Sequence, residues 1–460
     1  MKDTVLVAGA GRSGIEAARF LLTKKKPVLL YDGNKEKNEE DVKTAILEEG
    51  GLKEADLKAL SFSFGDFPEN KLAQVGTCVI SPGISLETPF VSVLEENGIP
   101  VISEIELAWL YEKGTVIGVT GTNGKTTTTS LIGAVMQAWL GEERAFIAGN
   151  IGIPYTKEVV KSAEDTVSVL ELSSFQLETV RTFHPHVSVI MNITPDHLNR
   201  HHTMENYAAV KARITMNQTA EDYCVLNYDD ERLRTFAETC PARVIFFSTR
   251  EVLSDGFFLQ DKALYRSVDG EPEYLLSTDE LNLVGRCNYE NVLAVLGVCE
   301  AMCVPPETAL DAIRAFKAVP HRIEFTVEKN GVRYYNDSKG TNPDAAIQGI
   351  LAMDRPIVLI GGGYDKGSSY DEWVELFDGR VRKLILIGAT REKIADCCMS
   401  HGFRDYEFAE TFEEAFEKAV AAAEPGDAVL LSPACASWGM FNNFEERGDL
   451  FKKLALELEE

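Results

Sequence analysis

The segment Thr120-Gly121-Thr122-Asn123-Gly124-Lys125-Thr126-Thr127 lies between the apolar run Val116 to Val119 and a periodic apolar stretch, Ser130 to Met136. Strand, glycine loop, helix is the order that most narrows the choice of fold. It implies a parallel α/β sheet with an anion cradle at the carboxyl end of one strand. Backbone N–H groups at the helix start point at phosphate oxygens, a lysine adds a point charge, and a threonine hydroxyl completes a Mg²⁺ shell. The full pattern G-x4-G-K-[ST] is interrupted by Val119, which stands where the first glycine is expected, with Gly118 and Gly121 on either side. A nucleoside triphosphate is the expected substrate.

A chain of 460 residues has room for about three domains, each with its own core. Its 72 acidic and 46 basic residues give a net charge of -26, which argues against a nucleic-acid surface. An anionic substrate must therefore be held by local devices: helix starts, metal ions and a few placed cations. The chain opens directly into a strand, VLVAGAG, and no apolar run approaches the roughly 20 residues of a membrane span. A cytoplasmic protein without membrane insertion is expected. Nine cysteines occur without a C-x-x-C pair, so reduced, mostly buried thiols are expected and a zinc site is not.

The α/β rhythm divides the chain into three. In the first third, strand Val5 to Ala8 leads into Gly9-Ala10-Gly11-Arg12-Ser13-Gly14, a helix through Leu22, and a strand ending at Tyr31-Asp32. This is G-x-G-x-x-G with an acid 18 residues after its last glycine, close to the ~20 of a dinucleotide fold. A later strand, Thr77 to Ile80, runs into Ser81-Pro82-Gly83-Ile84. The middle segment holds the triphosphate loop and a less regular stretch near 221 to 280. In the last third, strand ends run into DSKGTN, GGGYDKG and SPACAS, turns placed where open parallel sheets bind ligands. The expected architecture is α/β with three domains: Rossmann-like (1–112), central P-loop ATPase with a parallel sheet (113–319), and C-terminal Rossmann-like α/β (320–460).

Several residues stand where chemistry could occur. Glu171 closes the strand Val167 to Leu170, a position that suits a second Mg²⁺ support or a solvated turn. A buried strand delivers Asn192, Thr194, Asp196 and His197 into a polar loop, where His197 is structural or catalytic. Lys211, in the helical stretch Tyr207 to Met216, reads as a surface lysine. Asn288 and Asn291 share a face at a helix start; they touch an adenine or cap the helix.

Taken in order, TGTNGKTT, LELSSFQLE, MNITPDHLNRH, GRCNYEN, PHR, NDSKGTN and SPACASW resemble the Mur ligases of bacterial cell-wall synthesis. The resemblance covers essentially the whole chain. It implies a UDP-sugar domain, a central ATPase and an amino-acid domain, and an ATP-dependent amide ligase that adds D-glutamate to UDP-N-acetylmuramoyl-L-alanine. ELSSFQLE, NDSK-x-TN and SPACAS are the pieces that point to D-glutamate among the family's amino acids.

By this resemblance Arg12, Ser13, Asp32, Gly33, Asn34, Ser81, Gly83 and Asn150 hold the UDP-sugar instead of NAD. Gly121, Thr122, Asn123, Gly124, Lys125, Thr126 and Thr127 hold the triphosphate, and Asn291, Arg322 and Asp337 the rest of ATP. Thr126, Glu171, His197 and Lys211 serve metal, with Lys211 as a carbamate and two Mg²⁺ ions expected. Lys125, His197 and Lys211 form the catalytic set. Lys339, Thr341, Lys366, Ser437 and Phe444 form the D-glutamate pocket. Cys287 stands where the family often has histidine.

The implied reaction passes through an acyl phosphate, and the C-terminal domain is expected to close over it to exclude water. A monomer acting on small molecules is expected. Three other readings make different predictions. An NAD-linked oxidoreductase would leave GKTT idle, a P-loop switch would hydrolyse ATP without an amino acid, and a sibling ligase would add another amino acid.

Overall fold

The computed structural model describes residues 3–48 and 51–459. Its first sheet holds β1 (Thr4–Ala8), β2 (Val28–Asp32), β3 (Leu60–Phe64), β4 (Val75–Ile80) and β5 (Val101–Ser103), all parallel, in order β3-β2-β1-β4-β5. Its two faces are apolar by alternation. Leu6 and Ala8 of β1 join one core and Val7 the other, because successive side chains leave opposite faces of a strand. The strand order reverses between β1 and β4, so the loops after both strands flank the switch point where such sheets bind ligands.

The next strands are β6 (Thr115–Thr120), β7 (Ala145–Gly149), β8 (Val167–Glu171), β9 (Val187–Ile190), β10 (Tyr223–Asn227) and β11 (Arg243–Ser248). They form a parallel stretch in order β11-β10-β9-β6-β8-β7. Three more strands follow: β12 (Gly256–Gln260), β13 (Ala263–Val268) and β14 (Glu271–Ser277). Residues 221 to 280 are therefore more regular than their sequence suggested. Their turns are tight: Asp261 and Lys262 take φ of 48° and 61°, and Asp269 and Gly270 take 51° and 85°. Positive φ at two successive residues is the hairpin geometry that matches strand twist.

The third sheet comprises β15 (Glu324–Lys329), β16 (Val332–Asn336), β17 (Ile357–Gly362), β18 (Val381–Ile387), β19 (Tyr406–Phe408) and β20 (Ala428–Leu431), in order β15-β16-β20-β17-β18-β19. Ile357 and Leu359 of β17 face one core, Val358 and Ile360 the other. The α/β rhythm expected of the last third holds except at its start. There β15 and β16 pair antiparallel through Asn330 and Gly331, whose φ values are 53° and 74°.

The molecule has three parallel-sheet domains. By packing, the chain separates into two compact units. The first comprises residues up to 258 with 266–272 and 293–309; the second comprises 259–265, 273–292 and 310–460. Among the described residues, no helix is long and apolar enough to cross a membrane.

Candidate active site

In the first unit, sheet register brings the chemistry to one edge. Val119 of β6 pairs with Glu171 of β8, and Thr120 with Ile190 of β9. The glycine loop, Glu171 and the 191–197 segment therefore leave the sheet side by side. Gly121, at φ 145°, leaves no room for a side chain, since a Cβ there would sit 2.9 Å from Met191 Cβ. Gly124 ends the loop in the left-handed region at φ 84° and caps the helix Lys125–Leu140. Asn192 fixes the loop from outside: its Oδ1 accepts from Thr122 N at 3.1 Å and from Asn123 N at 2.8 Å.

Lys125 Nζ folds back to donate to the carbonyls of Gly121 and Thr122, both at 2.8 Å. Lys211, on the helix Met204–Ala212, donates to the same Gly121 carbonyl at 2.8 Å and lies over the Tyr207 ring. Its side chain is buried, with 1% of the residue exposed, which corrects the expectation of a surface lysine. Burial and the neighbouring Lys125 charge push its amine well below the ordinary lysine range, against the opposing pull of Asp196.

Glu171 is buried. Its Oε1 accepts from Asn150 Nδ2 at 2.8 Å, whereas its Oε2 is buried without a hydrogen-bond partner. An unmatched buried carboxylate oxygen is costly unless a cation meets it. His197 takes φ 52° at the N-cap of the short helix Leu198–His201, its Nε2 3.4 Å from Asp196 Oδ2 and its ring against Phe175. Lys125, Asn150, His197 and Lys211 line one cavity of about 210 Å³, joined by Pro82, Gly83, Asp196 and Tyr207. Thr126 and Thr127 occupy the first turn of the helix.

The loop after β1 is compressed against the loop after β4. A Cβ on Gly9, at φ 101°, would sit 2.5 Å from Ser81 Oγ, and one on Gly14 would sit 1.8 Å from the Gly9 carbonyl. Ser81 Oγ is buried without a hydrogen-bond partner. Asp32 accepts from Ala10 N at 2.8 Å and Asn34 N at 2.9 Å, so this carboxylate fastens the glycine loop to the turn holding Gly33 and Asn34. Arg12 and Ser13 begin the following helix, with Arg12 Nη1 3.5 Å from the Cβ position of Gly152.

In the second unit, Asp337 is buried at the end of β16. It accepts from Ser432 Oγ at 2.7 Å and Ile323 N at 3.3 Å, and burial pushes its carboxyl up to about 7. Arg322 lies close enough to pull the other way. Asn291 Nδ2 donates to Asn288 Oδ1 at 3.2 Å, and Asn288 Nδ2 donates to Val284 O at 2.8 Å. Cys287 lies within reach of the Asp337 and Glu290 charges, and burial with those charges pushes its thiol up to about 12. Lys339 Nζ sits 4.3 Å from the centre of the Phe444 ring, and Lys366 Nζ 5.1 Å from that of Trp438. Thr341 N donates to Lys339 O, and Ser437 is buried.

Three family profiles match this chain: "Mur ligase MurD-like, N-terminal domain" over residues 3–103, "Mur ligase middle domain" over 119–299, and "Mur ligase, glutamate ligase domain" over 321–435. The chain belongs to the Mur ligase family. It is 49% identical over 452 residues to a UDP-N-acetylmuramoylalanine--D-glutamate ligase of Lachnospira eligens, covering 98% of both chains. Among solved structures, MurC from Thermotoga maritima shares the fold at TM-score 0.59 and 17% identity, over 98% of this chain and 99% of that one. A MurF ligase from the same organism, solved in complex with ADP, does so at TM-score 0.57 and 16% identity, over 93% and 94%.

Three residues of this Mur ligase escaped the sequence reading. His201 is buried, its Nε2 3.0 Å from Ser174 Oγ, with burial lowering its pKa. Tyr207 lines the cavity, its hydroxyl 3.3 Å from Thr122 Oγ1. Arg447 is buried and donates to Ser338 Oγ at 3.0 Å, Ser338 O at 2.7 Å and Cys435 O at 3.3 Å, tying DSKGTN to SPACAS. Neighbouring HLNRH offered a signal for His201; nothing local offered one for Arg447.

Proposed function

We infer that this chain is an ATP-dependent ligase that joins D-glutamate to UDP-N-acetylmuramoyl-L-alanine in peptidoglycan precursor synthesis. The observation that carries the reading is the meeting of two lysines on the Gly121 carbonyl beside a half-matched buried carboxylate, Glu171. The full-length similarity to a D-glutamate ligase supports the choice of amino acid. Residues 1–112 are assigned to the UDP-sugar, 113–319 to ATP and 320–460 to D-glutamate. The enzyme is assigned as a cytoplasmic monomer.

The donor set suits Mg²⁺. Glu171 Oε2 is a hard oxygen in need of a positive partner, and Thr126 supplies a hydroxyl at the helix start. His197 is the assigned nitrogen ligand. Lys211 as an ammonium would oppose a cation, but its buried, neutral-favoured amine can attack CO₂. A nitrogen–carbon bond forms, one N–H proton leaves, and the product is an anionic carbamate with two oxygens. When bound, two Mg²⁺ ions neutralise the charge that keeps two anionic substrates apart.

Gly121 to Thr127 are assigned to the β- and γ-phosphates, with Lys125 swinging from its carbonyl partners to the phosphate. Arg12, Ser13, Asp32, Gly33, Asn34, Ser81, Gly83 and Asn150 are assigned to the UDP-sugar. Asn291, Arg322 and Asp337 are assigned to the remainder of ATP, and Lys339, Thr341, Lys366, Ser437 and Phe444 to D-glutamate. The L-alanyl carboxylate attacks the γ-phosphorus, an O–P bond forms, and ADP departs. The neutral D-glutamate amine then attacks the acyl carbon; a C–N bond forms, phosphate leaves with its electron pair, and the nitrogen loses a proton.

Phosphate release with UDP-N-acetylmuramoyl-L-alanine, measured with D-glutamate, L-glutamate, L-lysine and no amino acid, tests the reading. Dependence on D-glutamate alone is the expected result. Release without an acceptor would mark a switch ATPase, and a preference for another amino acid a sibling ligase.

A further inference from the structure

On the second unit, the helix Asp371–Glu375 and the helix Arg391–Ser400 present four metal-ligating groups that the ligase chemistry does not use. Asp371 and Glu375 are four residues apart, as are Cys397 and His401. Each pair therefore shares one helical face. His401 Nε2 lies 3.7 Å from both Asp371 Oδ1 and Glu375 Oε1. Cys397 Sγ lies 3.7 Å from Asp371 Oδ1. One ligand atom from each of Asp371, Cys397 and His401 falls within 4.8 Å of the others.

Metal–ligand bonds of roughly 2.0–2.3 Å at tetrahedral angles put ligand atoms roughly 3.3–3.8 Å apart. The three 3.7 Å separations fall in that range, and the ligand atoms of Asp371, Cys397 and His401 all lie within 4.8 Å of one another. The surroundings also orient the ligands. His401 Nδ1 is 3.0 Å from the Cys397 carbonyl, and donating its proton there leaves the Nε2 lone pair aimed at the two carboxylates. Ser369 Oγ donates to Asp371 Oδ2 and turns Oδ1 toward Cys397 and His401. Among the described residues, neither Asp371 nor Glu375 is paired with a lysine or arginine. Mixed sulfur, nitrogen and oxygen donors select zinc-like ions over Mg²⁺.

We propose that Asp371, Cys397 and His401, with Glu375 beside His401, form a surface site for a thiophilic divalent cation of the zinc class, which staples the two helices together. The cation completes charges that otherwise face each other with only His401 between them. It also anchors the chain that leaves the loop carrying Lys366. This proposal is independent of the assignment of the ligase reaction.

The test uses the full chain, stripped with a chelator, kept reduced with a phosphine and titrated with Co²⁺. The expected result is one equivalent bound with tetrahedral visible bands and a near-ultraviolet thiolate charge-transfer band, both bleached by Zn²⁺. Cys397→Ser should lose the charge-transfer band, and His401→Ala and Asp371→Asn should each weaken binding at least about tenfold. Zn²⁺ should raise the melting temperature of the unaltered chain and not of His401→Ala. Absence of a thiolate band, or its persistence in both Cys397→Ser and His401→Ala, overturns the proposal. Asp371→Asn alters an exposed side chain and His401→Ala a partly exposed one, so they keep the test decisive if Cys397→Ser folds poorly.

Discussion

Lys125 and Lys211 converge on one acceptor, the Gly121 carbonyl, each at 2.8 Å. Two ammonium groups cannot share a buried oxygen without cost, so one of them is driven toward the neutral amine. Lys211 is the one buried to 1% exposure. Lys211→Ala is expected to lower kcat about 10²-fold or more, with partial recovery in millimolar short-chain carboxylate. A ¹³C carbamate signal from labelled bicarbonate should appear in the unaltered enzyme and be lost in the variant. Full activity of the unrescued variant would remove the carbamate from the scheme.

Glu171 offers a separate test of the metal assignment, because Gln keeps the bond from Asn150 but removes the charge on Oε2. Glu171→Gln should raise the Mg²⁺ concentration needed for half-maximal rate by at least about tenfold, the usual cost of a lost metal ligand or its support. Its folding should be unchanged or slightly improved, since an unmatched buried carboxylate is relieved. A Mg²⁺ titration of the steady-state rate, beside a thermal melt, separates the two effects.

Arg447 joins the DSKGTN and SPACAS turns through Ser338 and Cys435. Arg447→Met fills similar volume but leaves the Ser338 and Cys435 carbonyls without this donor, at a cost of about 2–4 kcal/mol. Because these turns flank the residues assigned to D-glutamate, KM for D-glutamate should rise more than KM for UDP-N-acetylmuramoyl-L-alanine. Denaturant midpoints and the two KM values measure this directly; equal rises in both would deny the turns a selective role.

What the sequence revealed follows the range of each interaction. The Lys125 loop was legible because strand, glycines, lysine and helix are contiguous. Lys211 was not, since its partner carbonyl belongs to Gly121, 90 residues away, and the helix Met204–Ala212 lacks an amphipathic pattern to mark a buried face. Arg447 reaches Ser338 across 109 residues, again without a local sign. The antiparallel pair β15–β16 and the hairpins after β12 were within reach: Asn330-Gly331 and Asp269-Gly270 are strong two-residue turn signals. Cys397 and His401 carried no C-x-x-C spacing, and only the packing of two helices places them beside Asp371, with Glu375 next to His401.

Glu104 makes stability depend on pH. It is buried in the first unit, accepts from Thr156 N at 2.5 Å, and burial pushes its carboxyl from 4.5 up to about 7. Below pH 4.5 both folded and unfolded chains hold this proton. Between 4.5 and 7 the unfolded chain releases it while the folded chain retains it, so stability falls as pH rises, and the loss is complete above 7. A shift of this size corresponds to roughly 3 kcal/mol. Glu104→Gln keeps an oxygen for Thr156 N and has no proton to lose, so it should match the unaltered chain near pH 4.5 and exceed it by up to that amount at pH 8. Urea unfolding at the two pH values checks this, and equal stability differences at both would exclude Glu104 as the source.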